Sequence, residues 1–250
     1  MIPSYLINLD RSADRLVFVT RRLQALGISY RRIVAVDGRT LSPAEQAAFI
    51  ALRPRDGRSW GAGQIGCFMS HSDAWRNIAE GTVPFGLVLE DDIHLSDAAP
   101  TLLADPSWIP ADADIVRLES TGQWLSLGPV AATTDGRTVR RLRSAAWGAG
   151  AYILKKSTAA KLLAAEPVLH APIDDFLFNV ASSAVAQSLT TYQVTPALAE
   201  QDKFKANQLT AEGFGSGIET GKINQRLHGL GAVRRAMTST LRGKNRVEFR

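Results

Sequence analysis

Residues 1–38 constrain the fold more than anything that follows them. SYLINL (4–9) is a short aliphatic run. RSADRLVFVTRRLQALG (11–27) repeats Leu16, Val19 and Leu23 on one helical stripe, and YRRIVAVDG (30–38) is a second short run. Ser12 is placed to cap the helix and Gly27 to stop it. Strand, helix and strand within about 35 residues form a βαβ unit, whose two strands must pair in parallel, and a parallel sheet implies an α/β fold.

The rest of the chain continues the alternation. SPAEQAAFIAL (42–52) opens as a helix with Ser42 as cap and Pro43 at the first helical position. RPRDGRSWGAG (53–63) has no periodicity and is expected to be a mobile loop. QIGCFMSHSDAWRNIAEG (64–81) predicts a helix ending at glycine. DIVRLES (114–120), TVRRLR (138–143) and AYIL (151–154) predict strands. STAAKLLAAEP (157–167) predicts a helix from a Ser157 cap to Pro167, and PIDDFLFNVA (172–181) another from Pro172. With no clear linker before residue 203, the simplest division is one α/β domain over 1–202 and a basic, helical C-terminal tail over 203–250.

The segment PFGLVLEDDIHLS (84–96) runs Phe85, Leu87, Val88 and Leu89 straight into Glu90, Asp91 and Asp92. An unbroken aliphatic run is the mark of a strand buried on both faces, and its carboxyl end is where α/β sheets bind ligands. Three adjacent carboxylates repel one another and resist leaving water, so a cation must sit against them. A divalent metal or an arginine would serve. If the chain stays extended, Glu90 and Asp92 face one way and Asp91 the other, with His94 on the side of Asp92. Two convergent oxygens suit Mg²⁺ or Mn²⁺ completed by water and phosphate; the alternative is a solvated acidic turn.

Charge and composition exclude several classes. The formal net charge is +5, and from Lys203 onward ten Lys and Arg face three Glu, so residues 1–202 carry −2. The main body therefore lacks the electrostatics of a nucleic-acid binder. One cysteine, Cys67, rules out an internal disulfide and a Cys-rich zinc site, and it is expected only to pack. The N-terminal apolar stretch is too short for a signal-peptide core, and no segment approaches the ~20 apolar residues of a membrane span. A cytosolic location is expected. In the tail, Ile223, Leu227, Leu230, Met237 and Leu241 recur at helical spacing beside Arg226, Arg234 and Arg235. Such a stripe either docks on the protein's own core or lies on the inner face of the cytoplasmic membrane as a peripheral contact.

Five segments in order carry a resemblance: YLINLDRSADR, GQIGCFMSHSDAW, LVLEDD, WGAGAYILKKSTAAKLL and PIDD. Over about residues 3–200 the chain resembles glycosyltransferase family 25, which includes lipooligosaccharide galactosyltransferases. The resemblance implies a GT-A-type, Rossmann-like sheet, a UDP-sugar donor, inversion at the anomeric carbon and an acidic triplet equivalent to the Asp-x-Asp metal motif. Glu90 stands where that motif has its first Asp. Asp92 is then the direct ligand of Mn²⁺ (or Mg²⁺), with Glu90 a metal, ribose or water-mediated contact and Asp91 on the donor side. Asn8 and Asp10, ending the first strand, are placed near the base or ribose.

Arg11 and Arg15 flank a helix N-terminus, where cations oppose the dipole by ~0.3–1 kcal/mol, so an anion is expected close by. It is the donor phosphate, or else Asp10 and Asp14 pair with them. His71 shares a helix face with Gln64, Cys67 and Trp75, either as a core histidine or as a donor contact. An inverting transfer needs a general base; Asp174 and Asp175 are the candidates, although acids are also favoured in a helix's first turn. Glu119 is a lesser rival. The expected activity is metal-dependent transfer of a hexose, galactose first, from a UDP-sugar to a saccharide or glycolipid acceptor in lipopolysaccharide or other cell-surface glycan synthesis. The alternatives are a nucleotidyltransferase or a non-catalytic nucleotide- or glycan-binding module.

Overall fold

The computed structural model describes residues 1–52, 60–164, 172–204 and 244–250. The βαβ unit forms as the periodicity requires. β1 (Ser4–Asn8) leads into α1 (Ala13–Ala25) and β2 (Tyr30–Val34), and β1 pairs in parallel with β2. Gly27 ends α1 with φ +65°, a conformation that glycine adopts freely. Ser12 stands at the cap position, but its hydroxyl makes no capping bond. α2 (Pro43–Leu52) does carry the expected cap: Ser42 N donates to Glu45 Oε2 at 2.8 Å, and Glu45 N donates back to Ser42 Oγ at 3.3 Å.

α3 (Ala62–Glu80) begins two residues earlier than expected, so Ala62 and Gly63 are helical, while 53–59 of the expected loop lie outside the described residues. β3 (Phe85–Glu90) then delivers the acids, and a turn at Asp91–Asp92 precedes β4 (Ile93–Leu95). Next come α4 (Ala99–Ala104), β5 (Ile115–Arg117) and β6 (Glu119–Ser120), followed by the hairpin of β7 (Trp124–Thr134) and β8 (Arg137–Leu142). β9 (Ala151–Lys155) runs directly into α5 (Lys156–Ala164), so Ser157 is inside the helix rather than its cap. α6 (Ile173–Phe178) starts after Pro172, and α7 (Ala184–Ser188), β10 (Thr191–Thr195), β11 (Ala199–Gln201) and β12 (Lys244–Arg246) complete the order.

The main sheet has the order β12-β7-β8-β10-β5-β9-β3-β1-β2. β2, β1, β3, β5, β10 and β7 point one way, and β9, β8 and β12 run against them. This is the expected α/β architecture, a mixed sheet flanked by helices. Alternation sends β1's Tyr5 and Ile7, β3's Val88 and β9's Tyr152 and Leu154 into the core under α3, α5 and α6. Leu6, Leu87, Leu89 and Ile153 enter a second core with Val19 and Leu23 of α1. Each fully buried aliphatic contributes about 1.5–3 kcal/mol, which is why a run as apolar as residues 85–89 belongs in the middle of the sheet.

A small second sheet, β4-β11-β6, sits at the carboxyl end of β3. β11 pairs antiparallel with β4 and parallel with β6, so residues far apart in sequence meet beside the acidic triplet. The apolar stripe of the expected tail lies outside the described residues. The last residues, 244–250, do not stand apart: β12 adds to β7 at the sheet edge, and Phe249 bridges to Ala197. Among the described residues no helix is long and apolar enough to cross a membrane.

Candidate active site

The triplet closes one end of a cleft lined by Asn8, Arg15, Val36, Asp37, His71, Glu90, Asp92 and Gln201, among others. Its opposite wall, residues 35–39, follows β2 and is held against α3 by two glycines. A Cβ on Gly38 would strike the Ala62 carbonyl, and one on Gly66 the Val36 carbonyl. That close approach lets Val36 N donate to Ser70 Oγ at 2.9 Å, which fixes the wall.

The three acids have three environments. Asp91 is 7% exposed and accepts from Asn8 Nδ2 at 2.7 Å and Arg15 Nη1 at 3.1 Å. Burial raises its pKa, and Asn8 and Arg15 oppose the rise. Burial would also raise Glu90, but the hydrogen bond from His71, with the positive charges of Lys203 and Arg15, prevails and holds it below the usual glutamate value. Asp92, 5% exposed, is pushed up to about 7 by burial and by Glu90, against the pull of Arg15 and Lys203. The chain turns at Asp91 instead of staying extended, yet Glu90 and Asp92 still converge. Gln201 Nε2 donates to Glu90 Oε2 at 2.6 Å and to Asp92 Oδ1 at 3.3 Å.

His71 is fully buried within a relay. Trp75 Nε1, which can only donate, bonds Tyr152 Oη at 2.7 Å; Tyr152 Oη meets His71 Nδ1 at 2.9 Å; His71 Nε2 meets Glu90 Oε1 at 3.1 Å. A carboxylate accepts only, so Nε2 carries hydrogen, and in the neutral ring Nδ1 accepts from the tyrosine. His71 is thus both a core histidine and the orienting partner of Glu90. Cys67 is more than packing: it lines the cleft, and its Sγ lies 3.9 Å from Glu90 Oε1. Burial and the charges of Glu90, Asp174 and Asp92 push the thiol up, which removes it as a nucleophile. Ligand atoms of Cys67, His71 and Glu90 lie within 4.8 Å of one another, but a protonated thiol and an N–H aimed at Glu90 make a poor donor set. The oxygens of Glu90 and Asp92 suit a hard cation better.

The arginines find anions within the protein. Arg11 Nε pairs with Asp37 at 2.5 Å, and Arg15 pairs with Asp91 and, at 3.8 Å, with Asp92. Burial opposes it, but the hydrogen bond from Arg11 leads the influences that hold Asp37 below its ordinary pKa. Asp10 faces solvent and pairs with Arg32, which also bonds Asn8 Oδ1, so Asp10 is not part of the cleft wall. His94 is structural, 2.8 Å from Asp202 and edge-on to Phe18.

Of the two base candidates, Asp175 Oδ1 is occupied by Asn179 Nδ2 at 2.8 Å. Among the described residues Asp174 accepts only backbone hydrogens, from Gly148 at 3.3 Å and Asp175 at 3.0 Å, and it stays partly exposed. Glu119 is 1% exposed and pushed up to about 8 by burial against the pull of Arg117, so it is protonated at neutral pH and cannot accept a substrate proton there. Sequence reasoning missed Asp37, Arg39, Gln201 and Lys203. The Val-Asp-Gly at the end of a predicted strand was a usable signal for Asp37, whereas Gln201 enters only through β11. Lys203 lines the cleft and so belongs to the site, not to an appended tail.

Residues 1–177 match the family described as glycosyltransferase family 25 (LPS biosynthesis protein). Procollagen galactosyltransferase 1-A of Xenopus laevis is 31% identical over 185 residues, 69% of this chain but 30% of its own length. Lacto-N-neotetraose biosynthesis glycosyltransferase LgtE of Neisseria meningitidis serogroup B is 29% identical, covering 65% of this chain and 61% of its own. LgtB of serogroup A of that species is 29% identical over 80% of this chain and 75% of its own. This chain therefore spans about 30% of the procollagen enzyme and 61% of LgtE. Among solved structures, galactosyltransferase LgtC with donor and acceptor sugar analogues aligns over 80% of this chain and 86% of its own at 12% identity and a TM-score of 0.34, too weak a likeness to carry any step below. With more than half of its residues matched in one continuous stretch, the chain belongs to glycosyltransferase family 25.

Proposed function

We propose that this chain transfers a hexose, galactose first, from a UDP-sugar to a saccharide hydroxyl in the assembly of a cell-surface glycan, with inversion at the anomeric carbon. Family membership and relatives named as galactosyltransferase and lacto-N-neotetraose biosynthesis glycosyltransferase support the reaction class and the sugar. The observation that carries the proposal is the convergence of Glu90 and Asp92 on Gln201, at the end of a cleft walled by the carboxyl ends of β1 and β2. Gln201 Oε1 is buried with no hydrogen-bond partner. Nε2 of the same amide, not Oε1, faces the two carboxylates, so the donor set is the oxygens of Glu90 and Asp92, which suit Mn²⁺ or Mg²⁺ completed by water and substrate oxygens. When bound there, the metal would neutralise charge on a leaving nucleoside diphosphate.

The chain's own residues supply the remainder. Arg15, Arg39 and Lys203 bring positive charge to the cleft for a diphosphate, and Asn8 and Asp37 offer polar groups at the wall where a ribose fits. Asp174 takes the acceptor proton; its partial exposure and backbone-only hydrogen bonds leave it able to do so. A panel of UDP-sugars incubated with and without manganese tests the proposal. The expected result is UDP release from one donor, greatly reduced by chelation, with a hexose added to the acceptor by mass. UDP binding in calorimetry with no release from any donor would leave a binding module instead, and a transferred nucleotide would replace the reaction class.

A further inference from the structure

We propose that Trp147 is the platform of a pyranose subsite for the acceptor saccharide, with Trp124 at its rim. The proposal rests on the glycosyltransferase reading and adds to it where the acceptor lies. Trp147 is 58% and Trp124 46% exposed, and no other aromatic side chain among the described residues is exposed. Gln123, next to Trp124 in the chain, links the two segments: its Oε1 accepts from Trp147 N at 3.0 Å.

The backbone under Trp147 is fixed by buried ionisable groups. Arg117, 2% exposed, donates from Nη2 to the carbonyls of Trp147 at 2.5 Å and Gly148 at 3.2 Å, while Nη1 donates to Gln193 Oε1 at 2.7 Å. Gly148 N donates to Asp174, and Gly150 N donates to the buried Glu119 Oε2 at 2.8 Å. Burying an arginine and a glutamate is costly unless their hydrogen bonds return it. Here the bonds from Arg117 Nη2 and to Glu119 Oε2 go to residues 147–150, while Arg117 Nε and Glu119 Oε1 stay unpaired among the described residues; the one exposed side chain of that segment is the indole of Trp147. A fold that immobilises the backbone beneath an otherwise unfavourable exposed ring has that ring placed for a ligand.

The ligand chemistry follows from the ring and its position. A pyranose presents a face of C–H groups bordered by hydroxyls. A flat indole covers that face, leaves the hydroxyls wet and loses little conformational freedom. Position favours a saccharide over a lipid surface. Gly150 O accepts from Glu90 N at 2.8 Å, and three residues of chain reach no farther than about 11 Å. The Trp147 backbone is therefore held within that reach of Gly150, the residue bonded to the first acid of the triplet, on the same segment that bonds Asp174.

Saturation-transfer difference NMR on the full chain, with UDP and Mn²⁺ present, tests this using lactose and the methyl β-glycosides of galactose, glucose and N-acetylglucosamine. At least one probe is expected to receive saturable transfer at its ring C–H protons. Its affinity should fall about tenfold in Trp147→Ala and be largely retained in Trp147→Phe, with UDP binding by calorimetry and the urea midpoint unchanged in both. Absence of transfer from the wild type, or equal transfer from Trp147→Ala, overturns the subsite even if UDP binds normally. Failure of UDP to bind while saccharide transfer still depends on Trp147 strikes the donor reading and leaves the subsite standing. Sedimentation with anionic phospholipid vesicles that is lost in Trp147→Ala, with no saccharide transfer, would make the ring a lipid contact and overturn the proposal.

Discussion

Glu119→Gln isolates the electrostatics beneath residues 147–150. In the wild type, Oε2 accepts from Gly150 N while Oε1 is buried without a partner, and burial moves the carboxyl from 4.5 up to about 8. A folded-state pKa above the unfolded one means that folding favours the protonated acid. Stability linked to this group is complete below about pH 4.5 and declines as pH rises, until the folded group also ionises near pH 8. The slope over that window is about 1.4 kcal/mol per pH unit. Glutamine mimics the protonated acid, keeps an acceptor for Gly150 N and does not titrate. The stability of the variant minus that of the wild type should therefore rise by about 3–4 kcal/mol between pH 5 and pH 8. Urea denaturation of both proteins in EDTA at half-unit pH steps measures it, with Glu119→Ala as the control that loses the Gly150 bond at every pH. A difference that stays flat within about 1 kcal/mol across the window would show that Glu119 is ionised in the fold and refute the reasoning.

Asp92→Asn should abolish turnover while leaving the urea midpoint in EDTA at or above that of the wild type, since a charge pressed against Glu90 is removed; wild-type-like UDP release would end the metal assignment. Tyr152→Phe takes the shared oxygen from Trp75 Nε1 and His71 Nδ1, and two buried groups left unpaired should cost about 2–4 kcal/mol in chemical denaturation; a loss under about 0.5 kcal/mol would mean the relay contributes nothing to stability. Gly148→Ala places a methyl 2.5 Å from Glu119 Oε1 at a backbone φ of +82°, and should destabilise by about 2 kcal/mol or more; unchanged stability by the same assay would mean that the segment yields easily.

The sequence exposed what is local and left unread what is not. Period and caps placed β1, α1, β2 and α2 because each element's signal lies inside its own segment: the Leu16–Val19–Leu23 stripe, the Gly27 stop and the reciprocal Ser42–Glu45 cap. Of the β7–β8 hairpin only the second strand was read, from TVRRLR, and not the tip, where Asp135 and Gly136 both take positive φ and Asp-Gly is the corresponding signal. The register of β7 shifts between Leu127, Val130 and Ala132, which blurs the alternation that marks a strand. Gln201 carries no motif; it reaches the site because β11 pairs with β4 and β6, and it is separated from Glu90 by 111 residues. Arg11 and Arg15 did announce anions, but dipole reasoning cannot tell a carboxylate folded back from the same chain from a phosphate that arrives later.

The distribution of compensation within the triplet points to where a ligand acts. A buried row of acids needs positive charge or donors, and an arginine and a metal satisfy that need equally well in principle. The protein uses both kinds of answer, residue by residue. Asp91 has Arg15 and Asn8 within hydrogen-bond distance, and Glu90 has His71 and Gln201. Asp92 receives a longer bond from Gln201 and stands 3.8 Å from Arg15, and it is the member whose pKa reaches about 7. Electrostatic strain is thus concentrated on one carboxyl that lines the cleft rather than shared across the row. A proton relieves it, and a dication at the Asp92 and Glu90 oxygens would relieve it more fully by displacing that proton, so cation binding at this end of the cleft should weaken as pH falls below 7.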